Sequence, residues 1–421
     1  MWKPNVVQKL LDSTARARAE HKERHRPSGF GFAFADRVSY LNPLHWDELV
    51  KNASVFIQRR YLEVVEAHGP ANLTGRYAMV FRGSRPVAAI AAQVARLRGR
   101  DLVDHSRGER SAETPPVKKV LKRASQKIKK SAARTVNAKV LVCGNLLSWG
   151  MHGVAFAEDE SPADLWPAVA EAMYRIRRAE KLASHVDIVM VKDVPHDHAP
   201  HAAPLKRFSY DSVETEPDMV LDIPPGWKTH ADYLSALERK YRKAAAKVME
   251  QITEAGFAIE AAGEVASHGQ RLHELYMHVH ERATVRPFTL QGTFIPALAN
   301  AIGEGFRCTI IRRADQIAGF VTSIKDGDTA VGYYLGYDPG VNQEVPVYFG
   351  LLQAVVADAI SMGCKRLSLG RTALEPKARL GARPVPMRIY LRHRQPIFNT
   401  FLRPLLGLVP HHEAPDRNPF K

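Results

Sequence analysis

Apolar and polar positions change period several times along this chain, and each change marks a predicted element. Residues 44–67 carry Trp46, Leu49, Val50, Phe56, Tyr61, Leu62 and Val65 at helical spacing and predict one helix. RYAMVFRGSRPVAAIAAQVARL then reads as two strands joined by turn residues at 83–86. AKVLVCGNLLSWGMHGVAF is an apolar run of β type, interrupted at Gly144-Asn145 and again at Trp149-Gly150. LWPAVAEAMYRIRRAEKL predicts a helix with Ala168, Ala172 and Ile176 on one face, and HVDIVMVKDV a strand.

The pattern restarts after residue 215. DMVLD is a strand ending at a double proline, and Thr229 is placed to cap a helix bearing Tyr233, Leu237, Tyr241, Val248 and Ile252, with a basic opposite face. Two helices follow, GQRLHELYMHVHERA and PFTLQGTFIPALANAIGEG. FRCTIIRRADQIAGFVTSIKDGDTAVGYYLGYDP alternates as three antiparallel strands, VYFGLLQAVVADAISMG is a long helix, and KRLSLG a short strand. This is an α/β chain on an α+β plan, a mixed sheet flanked by helices, and the first half gives a weaker version of the same order. The expected organisation is a basic extension at 1–37, a first domain at 38–215, a second at 216–395 and a tail at 396–421.

Composition narrows the picture. A length of 421 residues suits two halves, and 45% hydrophobic with 25% charged residues excludes wholesale disorder. The net charge of +16 points to an anionic partner: nucleic acid, phosphorylated cofactor, acidic carrier protein or anionic membrane surface. The charge is concentrated in an expected insertion at about 97–135. Residues 117–134 hold eight basic side chains and no acid, and Val117, Val120, Leu121, Ala124 and Ile128 make a cationic amphipathic helix there. An inserted solvated helix or a disordered loop reads the segment equally well. It has no interleaved aromatic residues, which argues against base stacking.

The three cysteines, Cys143, Cys308 and Cys364, have no metal or redox spacing and fit a reducing cytoplasm. No run offers the ~18 uncharged apolar residues of a spanning helix, so the expected location is cytoplasmic, with peripheral attachment to the inner membrane open. His196, Asp197, His198 and His201 follow a strand, but without an HExxH or CxxC motif no metal is expected.

The element order of the second half, with ADYLSALERKYRKAAAKV upstream and LSLGRTALEPKARLGARP downstream, resembles the Fem-like and BioF2-like branch of the GNAT superfamily over residues 38–395. The resemblance implies two tandem GNAT-like mixed sheets and transfer of acyl or aminoacyl groups to amines, with the second half catalytic. The phosphate-binding loop of acetyl-CoA-dependent members is not recognisable in YDPGVNQEVPVYFG, which leaves acyl-CoA, acyl carrier protein and aminoacyl-tRNA as donors. No permanently bound cofactor is implied.

Amide formation needs a deprotonated amine, a stabilised oxyanion and a leaving group. The resemblance places Tyr333 and Tyr334 on the strand where the sheet splits. Strand alternation sends one tyrosine to each face, either as a proton donor or as a core residue with a satisfied hydroxyl. In GRTALEPKARLGARP, Arg371, Arg379 and Arg383 are candidate donor-binding cations. Lys377 matches a family lysine implied to neutralise the tetrahedral intermediate, and Glu375 is then a candidate base. A solvated basic loop is the alternative.

His278 and Glu281 are spaced i,i+3 for a proton relay or a surface pair, with His280 pointing elsewhere. Asn145 and His152 are candidate substrate ligands near the interface of the halves, although a turn also explains Asn145. The leading expectation is an N-acyltransferase moving a long acyl chain from acyl-CoA or carrier protein to an amine, such as a sphingoid base. Fem-like aminoacyl transfer to a cell-wall precursor, and a non-catalytic nucleic-acid- or membrane-binding protein on the same scaffold, are the alternatives.

Overall fold

The computed structural model describes residues 26–98, 137–283, 285–395 and 417–421, and the single positions 15, 22, 399 and 415. The amphipathic segment 117–134 and nearly all of 1–25 and 396–416 lie outside these residues.

The first half runs β1 (Gly31–Ala35), α1 (Pro43–Val50), α2 (Arg59–His68), β2 (Leu73–Arg82), β3 (Arg85–Arg98), β4 (Asn137–Cys143), β5 (Val154–Phe156), α3 (Pro162–Glu180) and β6 (Ile188–Pro195). The second runs β7 (Asp211–Asp222), α4 (His230–Ala236), α5 (Arg239–Glu254), β8 (Ala258–Ala261), α6 (Gly269–His280), α7 (Phe294–Ile302), β9 (Phe306–Arg313), β10 (Gln316–Asp326), β11 (Thr329–Tyr337), α8 (Val341–Glu344), α9 (Val347–Ser361), β12 (Arg366–Ser368), α10 (Leu374–Arg379) and β13 (Arg383–His393).

The predicted hairpin, meander and long helices are present, but two predicted helices are each broken in two. The helix expected over 44–67 stops at Val50. Ser54 then caps a short 3-10 turn, and Asp326 of the second half accepts hydrogen bonds from Ser54 Oγ at 2.8 Å and Val55 N at 2.7 Å. The helix after Thr229 does begin with a capping box, Thr229 with Asp232, but ends at Ala236. Leu237 is extended there and bridges to Phe420. Both breaks are set by partners distant in sequence, which local periodicity cannot register.

The described strands form one sheet of thirteen, in the order β1-β2-β3-β4-β6-β13-β7-β12-β11-β10-β9-β8, with β5 paired to β3. The centre is an exchange. β4 and β6 are parallel, as are β11 and β12, but the antiparallel neighbour of β6 is β13 and that of β12 is β7. β7 and β13 also pair with each other. Each half's sheet is thus completed by a strand that follows the other half, and the boundary expected at 215/216 falls inside β7. β1 likewise begins before the expected boundary at 38.

One core layer packs Trp46, Phe56 and Tyr61 of the first half with Leu275, Phe294, Phe320 and Tyr333 of the second. The halves share a sheet and a core. α9 covers the opposite face of the second half, and α3 that of the first.

Candidate active site at the junction of the halves

Both parallel strand pairs splay apart after a short ladder, and the chemistry-bearing residues gather where they do. The first ladder ends at Cys143 opposite Val191, the second at Val331 opposite Ser368. Counting outward in register, Asn145 corresponds to Tyr333 and Asp193 to Gly370. The correspondence is physical as well as formal. Asn145 Nδ2 donates to the Tyr61 hydroxyl at 2.7 Å, and the Tyr61 and Tyr333 hydroxyls share a hydrogen bond of 2.8 Å. Asp193 and Gly370 both hold left-handed backbone, at φ 57° and 77°.

The loop after β4 leaves its own half and closes against the split of the other. Trp149 Nε1 donates to Ser368 Oγ at 2.5 Å, and its ring lies so close to Gly370 that a Cβ there would stand 3.1 Å from the indole. Tyr334 donates its hydroxyl to Leu147 O at 3.3 Å. Lys192 donates to Ser148 O at 2.7 Å. His152 is buried, stacked on Phe56, and takes Ser148 as its Nδ1 partner at 2.9 Å. Burial, with the Lys192 cation beside it, pushes its pKa down to about 3, so the ring is neutral. Asn145 and His152 therefore stand at the interface, engaged in holding it together.

Tyr333 and Tyr334 do not point to opposite faces. Their rings are 4.5 Å apart and pack in the same core layer. The pairing of β10 with β11 slips between Val321 and Ser323, so that Thr322 stands against both tyrosines. Thr322 fixes this bulge by accepting from Tyr334 N and donating to Tyr334 O. An extra residue in one strand cancels the alternation. Both hydroxyls are occupied, and burial holds both phenols well above their usual pKa.

On the far side of the split, α10 presents Lys377, which is 6% exposed and has no hydrogen-bond or ion-pair partner among the described residues. Burial lowers its pKa to about 8, opposed by the negative charges of Asp218 and Glu216 on β7. Asp218 is 4% exposed. Its Oδ2 accepts from Ser368 Oγ at 2.6 Å and its Oδ1 from Gly370 N at 2.9 Å, and burial raises its pKa to about 6. Asp218 was not among the residues expected from sequence. The signal available was one carboxylate flanked by Pro217 and Met219 at the edge of an apolar strand.

The remaining candidates lie elsewhere. Glu375 is on the outer side of α10, bonded to Arg417 at 2.6 Å and Arg379 at 3.0 Å, and these cations hold its carboxyl below the usual range. That makes it a poor base. Arg371 pairs with buried Asp193, which also pairs with Lys192. Arg383 is exposed at the start of β13. His278 and Glu281 do not contact each other, and it is His280 that bonds, to the Tyr276 hydroxyl at 3.2 Å and Thr289 Oγ1 at 2.9 Å. Among the described residues no group of three or more His, Cys, Asp or Glu is placed to hold a metal ion, and no helix is long and apolar enough to cross a membrane.

Where a phosphate-binding loop would precede α9, the amides are already taken. Asp338 accepts from Gly340 N at 2.8 Å, and Asn342 Oδ1 from Tyr348 N at 2.8 Å.

Splayed parallel strands, a bulged strand before the split and a helix crossing behind make up the second half. Residues 238–378 match the family model described as Acetyltransferase (GNAT) domain. The overall fold is similar to that of FemX, whose crystal structure superposes with a TM-score of 0.52 at 11% identity, covering 86% of this chain and 98% of that one. A tandem GNAT protein from the clavulanic acid biosynthesis pathway aligns at TM-score 0.46 and 12% identity, over 87% of this chain and 99% of that one. No curated protein sequence matches the chain.

Proposed function

We propose that this protein is an N-acyltransferase that joins an acyl group, carried as a thioester on CoA or an acyl carrier protein, to an amine at the split between β11 and β12. The observation that carries the reading is Lys377: a buried ammonium without a hydrogen-bond or ion-pair partner among the described residues, near a buried carboxyl, where β11 and β12 diverge. A buried cation left unpaired is a standing cost, and it is offset when negative charge develops against it.

In the step we propose, the amine nitrogen attacks the thioester carbonyl carbon. A C–N bond forms and the carbonyl oxygen takes negative charge against Lys377. The amine proton passes through the Ser368 hydroxyl to Asp218, and collapse of the intermediate breaks the C–S bond. The thiolate leaves as such, because an ordinary thiol has a pKa of about 8.5, and takes its proton from solvent. Tyr333 and Tyr334 are poorly suited to supply that proton. Their pKa values lie well above that of the thiol, and their hydroxyls tie the second half to Tyr61 and Leu147.

The occupied amides before α9 favour a donor gripped other than by a pyrophosphate loop. A long acyl chain and a lipid amine such as a sphingoid base are the substrates we favour. Incubation with long-chain acyl-CoA or acyl carrier protein and a panel of amines, read by mass spectrometry, is expected to give an amide whose formation Lys377→Met slows roughly a hundredfold. Transfer from aminoacyl-tRNA with none from either thioester would overturn the thioester reading.

A further inference from the structure

Lys377 has no hydrogen-bond or ion-pair partner among the described residues to fix its ammonium, so its position is set by the backbone of α10, a helix of only six residues. That helix is strung between two left-handed residues, Ala373 at φ 52° and Gly381 at φ 95°. Neither end is anchored by a capping side chain of its own. Both ends are instead held by residues 417–421. At the first turn, Arg417 bonds Glu375 at 2.6 Å. Beyond the last turn, Phe420 lies so tightly under Gly381 that a Cβ there would be 2.2 Å from the phenyl ring.

The strap is itself built in. Phe420 packs with Trp227 and Tyr233, at ring separations of 5.5 and 6.3 Å. Glu238 N donates to Pro419 O at 2.8 Å, Lys421 N to Ala236 O at 3.2 Å and Lys421 Nζ to Ser235 O at 2.9 Å. Tyr233, in the same cluster, donates to Leu380 O at 3.1 Å. The gap between α4 and α5 thus exists to receive Phe420, and Phe420 in turn supports the turn that ends α10.

We infer that residues 417–421 are a positioning strap for the active site: Phe420 and Arg417 clamp α10 from outside and hold the Lys377 ammonium at the split. This rests on the reading of Lys377 as the oxyanion-facing cation, and it assigns a role to residues that touch neither substrate nor Lys377 itself. The groups that set the charge environment of Lys377 are Asp218 and Glu216, both on β7, and neither belongs to the strap.

The test uses the full chain and a readout independent of transfer activity. Neutral lysine reacts with acetic anhydride, so the labelling of Lys377 followed by mass spectrometry across pH reports its titration. In the wild type the midpoint is expected near 8. Phe420→Ala releases the turn, admits water and moves the midpoint upward by about one pH unit, toward an ordinary lysine. Arg417→Gln, a change at a half-buried position outside the apolar core, moves it in the same direction by less. Both lower kcat with KM little changed, Phe420→Ala by about tenfold or more, because misplacing a catalytic group acts on the transition state.

If circular dichroism shows Phe420→Ala unfolded, Arg417→Gln decides. An unchanged midpoint and unchanged kcat in the folded variants overturn the strap. Shifted midpoints alongside full activity of Lys377→Met would leave the strap standing and remove the catalytic reading instead.

Discussion

Two buried residues of opposite charge have pKa values on either side of neutrality, and their signs fix a pH dependence. In the proposed step Asp218, raised to about 6, must be ionised to receive a proton, so kcat/KM is expected to fall as pH drops through that value. Lys377, lowered to about 8, must be charged to face an oxyanion, so activity falls as pH rises through that value. The expected profile is a bell with limbs near 6 and 8. Lys377→Met removes the alkaline limb and costs roughly a hundredfold at pH 7, the scale of a lost oxyanion contact. Asp218→Asn removes the acid limb. A profile in which neither variant moves a limb would refute the assignment. Lys377 was a candidate from the sequence because it matches a lysine of the Fem-like pattern and lies in a loop rich in cations after a short strand, and the structure buries it. Glu375 was only half readable as a tied-up carboxylate: Arg379 stands four residues on in the same helix, but Arg417 is brought in by the fold. The alternation rule failed at Tyr333 and Tyr334 because a bulge is a property of two strands and depends on Thr322 of the neighbour.

At the scale of elements, α9 carries a second buried carboxylate with no catalytic partner. Asp358 accepts from Thr309 Oγ1 at 2.9 Å and Ser323 Oγ at 3.4 Å, and burial raises its pKa to about 6. Its folded pKa lies above the unfolded value near 3.9, so the folded state binds the proton more tightly. The destabilisation is therefore full above pH 6 and fades as pH falls toward 4. Asp358→Asn is expected to raise stability by about 2 kcal/mol at pH 7, an advantage that shrinks with acidification, as urea titrations at pH 7 and 4.5 would show. No gain at neutral pH would mean that the two hydroxyl bonds outweigh the burial. Asp218→Asn should gain stability in the same way while losing activity, a trade common at sites where burial serves chemistry. The helices and meander of the second half were legible because each follows a local period. The breaks at residues 51–54 and 237–238 were not, because Asp326 and Phe420 impose them from other parts of the chain.

At the scale of the whole molecule, the expectation of two consecutive domains gives way to one interleaved body. Element order revealed the duplication, whereas the exchange of β7 and β13 left no trace in the residues, since either strand satisfies the same alternation. The exchange joins the halves through a buried ion cluster at its centre, where Asp193 of β6 pairs with Lys192 and with Arg371, which follows β12. The cations on either side hold the Asp193 carboxyl below its usual pKa, so its contribution is present above the ordinary aspartate range and lost only in strong acid. Asp193→Asn separates charge from backbone, because asparagine tolerates the left-handed conformation that Asp193 adopts at φ 57°. The variant leaves two partly buried cations, Lys192 and Arg371, without their shared carboxylate and is expected to lose about 3 kcal/mol. Since sheet and core run through both halves, that loss should lower a single thermal transition, with circular dichroism and tryptophan fluorescence coincident. Trp46 and Trp166 report the first half in that experiment, Trp227 the second, and Trp149 the contact between them. Two separated transitions in the wild type would show instead that the halves fold independently and that the exchanged strands merely dock.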